Sequence, residues 1–203
     1  PILPIYDLPL LKTNVKEFAK YVNQFISHLG LTDVTLLGNS LGGHIGLLVS
    51  LLYPKNIKGL IITGSSGLYE NSMGESYPKR EDKGYMRKKC EEVFYDPKVA
   101  TDEVVDEVFE TVNDRKKLVK ILTIAKSAIR HNMSKDLPKI KIPTAIIWGE
   151  NDIVTPPEVG HDFNRLLPNS TLFWIKECGH APMMEHPNQF NVHMEKWLST
   201  NSN

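Results

Sequence analysis

Val34-Thr35-Leu36-Leu37-Gly38-Asn39-Ser40-Leu41-Gly42-Gly43 joins an apolar run to a Gly-x-Ser-x-Gly turn, and a helical pattern then runs from Leu41 to Tyr53, where Pro54 stops it. The apolar run, with its β-branched residues, reads as a buried strand. A strand ending directly before a serine, with a helix starting directly after it, describes a sharp turn that carries the serine at its tip. Glycines at 38 and 42 suit such a turn. The serine backbone is strained there, and side chains at both flanking positions are expected to collide. The turn lifts the Ser40 hydroxyl clear of the sheet and aims the backbone N–H of Leu41 at a developing oxyanion. Alone, the same residues also describe a Gly-rich turn with no chemistry.

Outward from this turn, short apolar runs alternate with helical patterns, the mark of an α/β protein with a mostly parallel open sheet flanked by helices. Pro1 to Tyr6 reads as a strand end closed by Asp7-Leu8-Pro9. Val15, Phe18, Ala19, Val22, Phe25, Ile26 and Leu29 recur at helical spacing, with Asn14 and Glu17 as an N-terminal cap and Gly30 as the stop. Ile57–Thr63, Pro143–Trp148 and Thr171–Ile175 read as further strands, and 157–167 and 187–198 as helices. Between the strands at 57–63 and 143–148 lies a long stretch without strand pattern, beyond an ordinary connection. It holds a helix through Val104, Val105, Val108, Phe109 and Val112. A second runs from Leu118 to Ile129, and a shorter one from Arg87 to Tyr95. The chain thus divides into a core of 1–67 and 143–203 and a helical insertion of 68–142.

A serine hydroxyl needs a base, and the base needs an orienting acid. His180 lies in Cys178-Gly179-His180, just past the strand at 171–175, and Asp152 lies in Trp148-Gly149-Glu150-Asn151-Asp152, just past another. Ser40, Asp152 and His180 therefore follow three separate strands at their carboxyl ends, the edge where open parallel sheets bind ligands. Glu150 competes with Asp152 for the acid role, and the longer reach past the strand favours Asp152. His44, one turn into the helix after the turn, is expected to pack or hydrogen-bond.

Composition narrows the classes. The 203 residues hold 24 Lys+Arg against 24 Asp+Glu. With no basic excess to release counterions from phosphates, neither nucleic acid nor an anionic membrane is an expected partner. No run approaches the length of a membrane helix. Two cysteines, Cys90 and Cys178, make no disulfide framework and fit a reducing, cytoplasmic compartment. The remaining histidines show no metal-ligand spacing, so neither a metal nor another cofactor is expected.

Taken together, Asp7-Leu8-Pro9, Gly38-Asn39-Ser40-Leu41-Gly42-Gly43, Trp148-Gly149-Glu150-Asn151-Asp152 and Cys178-Gly179-His180-Ala181-Pro182 leading to Glu185-His186-Pro187 resemble the α/β-hydrolase family of the lid-bearing type. The resemblance spans essentially the whole chain and matches 68–142 in place and helical character. It implies Ser40 as nucleophile, His180 as general base and then acid, and Asp152 as the acid that holds the imidazole tautomer. It implies too that the first three strands of the family's sheet lie outside this chain, on a preceding segment or on another chain. The family's second oxyanion donor follows a His-Gly motif, and no His-Gly pair occurs here.

Serine at the turn points to transfer of a small acyl group to water from an ester, a thioester or a similar substrate. The Gly-Asn-Ser form also resembles hydrolases that cut a carbon–carbon bond beside a carbonyl. A non-catalytic member that binds a small molecule through the same pocket is the alternative from another class. The insertion is expected to roof the site, with Asn39, Tyr69, Met73, Phe109, Leu122, Ile129 and Met183 as candidate substrate-contacting residues.

Overall fold

The computed structural model describes residues 9–71 and 79–201. The expected strand at Pro1–Tyr6, the Asp7-Leu8 turn and Met73 fall outside the described residues.

Strands β1 (Val34–Asn39), β2 (Ile57–Thr63), β3 (Thr144–Gly149) and β4 (Ser170–Ile175) form one sheet in the order β1-β2-β3-β4, with every pairing parallel. Helix α1 (Val15–His28) starts where Asn14 Oδ1 accepts the Glu17 N–H at 3.0 Å, and Gly30 ends the turn with φ 62°. Helix α2 (Leu41–Leu52) is buried over most of its length. Helices α6 (Pro157–Leu166) and α8 (Pro187–Asn201) complete the flanks.

Period-two alternation along the strands separates two cores. Leu60 and Ile62 of β2 and Ile146 and Trp148 of β3 pack with Phe18, Leu47, Leu48 and Phe163 from α1, α2 and α6. Ile61, Ala145 and Ile147 face the other way, onto Phe190 and Trp197 of α8. α8 sits over β3 and β4. Leu37 of β1, 49% exposed, stands clear of it, and β1 pairs with β2 alone among the described residues.

The stretch between β2 and β3 holds α3 (Lys83–Glu91), α4 (Asp102–Asn113) and α5 (Arg115–Arg130). Met86, Val112 and Leu118 make one small core with Phe109, and Cys90, Ala100 and Val105 another with Phe94. The far half of α5 leaves these clusters, and Ile124 and Ala128 are buried with α1 and α2 in the main core. One boundary needs correcting. The sequence reading set the short helix at Arg87–Tyr95, whereas α3 begins under the Asp82 cap, whose side chain accepts the Tyr85 N–H, and ends at Glu91. Beyond it the Val93 C=O accepts the His180 N–H, and the Tyr95 and Asp96 N–H groups donate to the Glu185 carboxylate instead of continuing the helix.

Candidate active site

The turn after β1 is built on strain at one residue. Ser40 has φ 51° and ψ −117°, a conformation that few L-residues adopt. Its N–H donates to Thr63 C=O at 3.0 Å, and its C=O accepts from His44 N–H and Ser66 N–H, each at 3.2 Å. The expected collision is one-sided. A Cβ at Gly38 would stand 2.3 Å from the Gly42 carbonyl carbon, but a Cβ at Gly42 meets nothing within 4 Å. The second position without room is Gly43, where a Cβ would lie 2.5 Å from Ser65 Oγ. Leu41 opens α2, where a backbone N–H has no intrahelical acceptor.

Asp152 is 2% exposed and its carboxylate is filled with donors. Oδ1 accepts Val154 N–H at 2.8 Å and Thr155 N–H at 2.9 Å, while Oδ2 accepts Thr155 Oγ–H at 2.8 Å. His180 Nδ1 lies 2.9 Å from the same Oδ2. A buried carboxyl group with fixed donors keeps its orientation, so it can hold an imidazole in one tautomer. Glu150 is exposed. The imidazole lies against Gly64, at the end of β2.

Asn39 ties the two halves together. Its Nδ2 donates to Thr63 C=O at 3.1 Å and to His180 C=O at 3.0 Å, so the amide donors serve main chain. The other candidates scatter. Tyr69, Leu122 and Ile129 are exposed, Phe109 packs within the insertion, and Met183 packs against the β3–α8 core. His44 is fully buried, with Nδ1 3.3 Å from Ser66 Oγ and Nε2 3.1 Å from His131 Nδ1. Burial, then the neighbouring His131, lowers its pKa to about 4.

Three residues were given no role in the sequence reading, although one of them, Glu185, was quoted there within a motif. Thr155 braces Asp152, and the Asp-x-x-Thr spacing was the available signal. Glu70 is half-buried near His180. Its carboxyl is raised by desolvation and pulled back by the His180 charge, and no spacing announces it. Glu185 holds the loop before His180 and is taken up below. Among the described residues no group of three His, Cys, Asp or Glu side chains is arranged to hold a metal, and no helix is long and apolar enough to cross a membrane.

A parallel sheet with a strained serine after one strand and a buried His–Asp pair past two others defines an α/β hydrolase. A profile described as serine aminopeptidase, S33, matches residues 6–187, and the chain belongs to that family. An alpha/beta hydrolase enzyme from the metagenome of sediments of the Mar Chica lagoon, Morocco, is 50% identical. It superposes with a TM-score of 0.79 over 100% of this chain and 78% of its own. A 2-hydroxy-6-oxononadienedioate/2-hydroxy-6-oxononatrienedioate hydrolase from Pseudomonas sp is 26% identical over 89% of this chain and 68% of itself. Lipase 1 of Psychrobacter immobilis is 27% identical over 76% of this chain and 52% of itself.

Proposed function

We propose that the chain carries a serine-hydrolase site that cleaves a small acyl substrate through a covalent acyl-enzyme. The observation that carries the reading is the buried His180–Asp152 contact of 2.9 Å on the sheet edge that also bears the strained Ser40. Ser40 Oγ attacks the carbonyl carbon while His180 Nε2 takes its proton, and Asp152 holds the imidazolium that forms. The oxyanion faces the Leu41 N–H. As the tetrahedral adduct collapses, His180 returns the proton to the leaving alcohol or thiol. Water, deprotonated by the same imidazole, then releases the carboxylic acid and restores Ser40. No cofactor enters this sequence.

Residues 68–142 serve in this reading as a cap over the site. What supports it is where the insertion touches the core. Asn71 N–H donates to Val154 C=O at 2.8 Å beside the Asp152 loop, and His180 N–H donates to Val93 C=O at 2.9 Å. Met133 N–H and Asn132 Nδ2 return to Gly67 and Leu68 C=O at 2.7 and 2.8 Å. The start of the insertion and the turn after α3 thus touch the Asp152 and His180 loops, while its far end closes back on its start, as a roof that excludes water would. Tyr69, Leu122 and Ile129 are assigned to its substrate side. Both cysteines are free, which fits a cytoplasmic setting.

A second reading, cleavage of a carbon–carbon bond beside a carbonyl, draws on the Pseudomonas relative and on Gly38-Asn39-Ser40. In the full-length protein a fluorophosphonate should label Ser40 stoichiometrically, and Ser40→Ala should abolish labelling. A folded wild type that takes no label would favour the binding-module alternative. Turnover of p-nitrophenyl esters against a 2-hydroxy-6-oxo-dienoate separates the two hydrolytic readings.

A further inference from the structure

The loop that carries His180 is held from two sides. Glu185, the last residue of the short helix α7 (Pro182–Glu185), turns its carboxylate back across that loop. Oε1 accepts the Gly179 N–H at 2.7 Å, with the Cys178 thiol at 3.7 Å. Oε2 accepts the Tyr95 N–H at 2.7 Å and the Asp96 N–H at 3.3 Å. Tyr95 and Asp96 belong to the turn after α3, so one carboxylate serves backbone donors from the insertion and from the histidine loop. No main-chain acceptor serves these three N–H groups among the described residues.

The two segments also meet directly. Val93 C=O accepts the His180 N–H, and a Cβ at Gly179 would stand 2.6 Å from Val93 O and 2.9 Å from Tyr95 N. The loop is therefore pressed against 93–95 at a point where no side chain fits. A carboxylate suits this place because it accepts at both oxygens, and a charged acceptor makes stronger bonds than a neutral one. A glutamine would keep one accepting oxygen and turn an NH₂ group toward N–H groups that need an acceptor.

We propose that Glu185 is a positioning residue. Its carboxylate pins the 93–96 turn of the insertion onto the 178–180 loop, so that His180 stays on Asp152 while the insertion is docked. The proposal rests on the catalytic reading of His180 given above. It makes the insertion an input to catalysis as well as a cover, since movement of 93–96 is felt at the imidazole. Misplacement of a reacting group by about 1 Å costs on the order of 10²-fold in rate.

The test uses the full-length protein, p-nitrophenyl acetate and a fluorophosphonate, with Glu185→Gln, Glu185→Ala and His180→Ala compared under conditions where circular dichroism shows each folded. Glu185→Ala should lose about 10- to 100-fold in kcat with KM within about threefold, and the rate of Ser40 phosphonylation should fall by the same factor. Glu185→Gln, which keeps the shape and one acceptor, should fall between wild type and alanine. If the alanine variant does not fold, the isosteric glutamine variant decides on the same readouts. Glu185 variants that fold with kcat and labelling rate within about twofold of wild type would reduce the residue to a structural support and overturn the proposal. His180→Ala keeps the two failures apart. If it turns over and labels like wild type, the catalytic reading has failed; if it is dead while the Glu185 variants are normal, only the positioning role has.

Discussion

The loops at the sheet edge and the helices of the insertion solve the same problem, burial, by different means. At the edge, single atoms decide: a Cβ at Gly38 has nowhere to go, and every acceptor site of Asp152 used in the structure is met by a named donor. In the insertion, area decides. Small clusters around Met86 and Cys90 hold α3, α4 and the start of α5 together, while Val119, Leu122 and Ile129 stay exposed. Atom-by-atom constraint leaves a sequence signature in particular residue types at particular spacings. Area does not, because many apolar side chains fill it equally well.

The contrast breaks most visibly at the edge. Ser40→Ala and His180→Ala in the full-length protein should each lower kcat by about 10³-fold or more, and the double variant should be barely worse than either single. Steady-state kinetics on a p-nitrophenyl ester reads this, and additive losses would mean the two side chains do not serve one mechanism. In stability, the sharper pair is Gly38→Ala against Gly42→Ala. The first forces a Cβ into backbone and should cost about 3 kcal/mol or more, whereas the second, on an open helical position, should cost nothing or gain up to about 1 kcal/mol. Urea unfolding of both variants decides. Equal losses would return the turn to the symmetrical constraint expected from the sequence.

Between the two regions lies the His44–His131 pair, one residue on α2 and the other at the end of α5. His44 is neutral when folded at pH 7. Its folded pKa of about 4 lies below the ordinary 6.5, so between these values the unfolded chain binds the extra proton. Stability is therefore complete above pH 6.5 and falls as pH drops toward 4, by up to about 3 kcal/mol for this shift. The groups facing the ring, Ser66 Oγ and His131, include no carboxylate that would offset the charge, and His131 is itself lowered, chiefly by burial. Urea midpoints at pH 7 and pH 5 should separate for wild type and draw together for His44→Gln. Parallel lines would show that the pair does not carry the acid sensitivity.

How far the sequence could be read follows the same divide. Val34 to Gly43 places a strand, a turn and a helix because each step there is local. The strand-end positions of Asp152 and His180 follow from runs of apolar residues on either side. The motif holding Glu185 was legible but its role was not, and Glu70 was not singled out at all, because what they meet lies elsewhere in the chain. Glu185 spends its carboxylate on the backbone of residues 95 and 96, ninety positions upstream, and a backbone N–H has no letter in the sequence. The short helix was set a few residues too late for the same reason. The apolar spacing around Phe94 and Tyr95 continues past Glu91, but the Val93 C=O and the Tyr95 N–H are taken by the His180 N–H and the Glu185 carboxylate instead of the helix. Gly42 taught the opposite lesson, since a motif glycine need not be a steric one.

The smallest effect expected in stability is also the one that most sharpens the picture of the insertion. Ile129 is 65% exposed, and Leu122 is exposed two turns earlier on the same face of α5, so neither contributes much to the folded state as it stands. Ile129→Ser and Leu122→Ser should each shift the urea midpoint by no more than about 0.5 kcal/mol equivalent. A side chain that faces substrate changes selectivity instead, because a lost methylene contact is worth about 1–3 kcal/mol only to the acyl chain long enough to reach it. Relative kcat/KM along a series of p-nitrophenyl esters from acetate to octanoate should then drop for the longer chains and hold for acetate. The reasoning depends on the cap covering the site: a helix on a remote surface would leave the whole preference ladder where it was. Such a result would detach α5 from the pocket and leave the Asn71, Val93 and Glu185 contacts as the insertion's hold on the site.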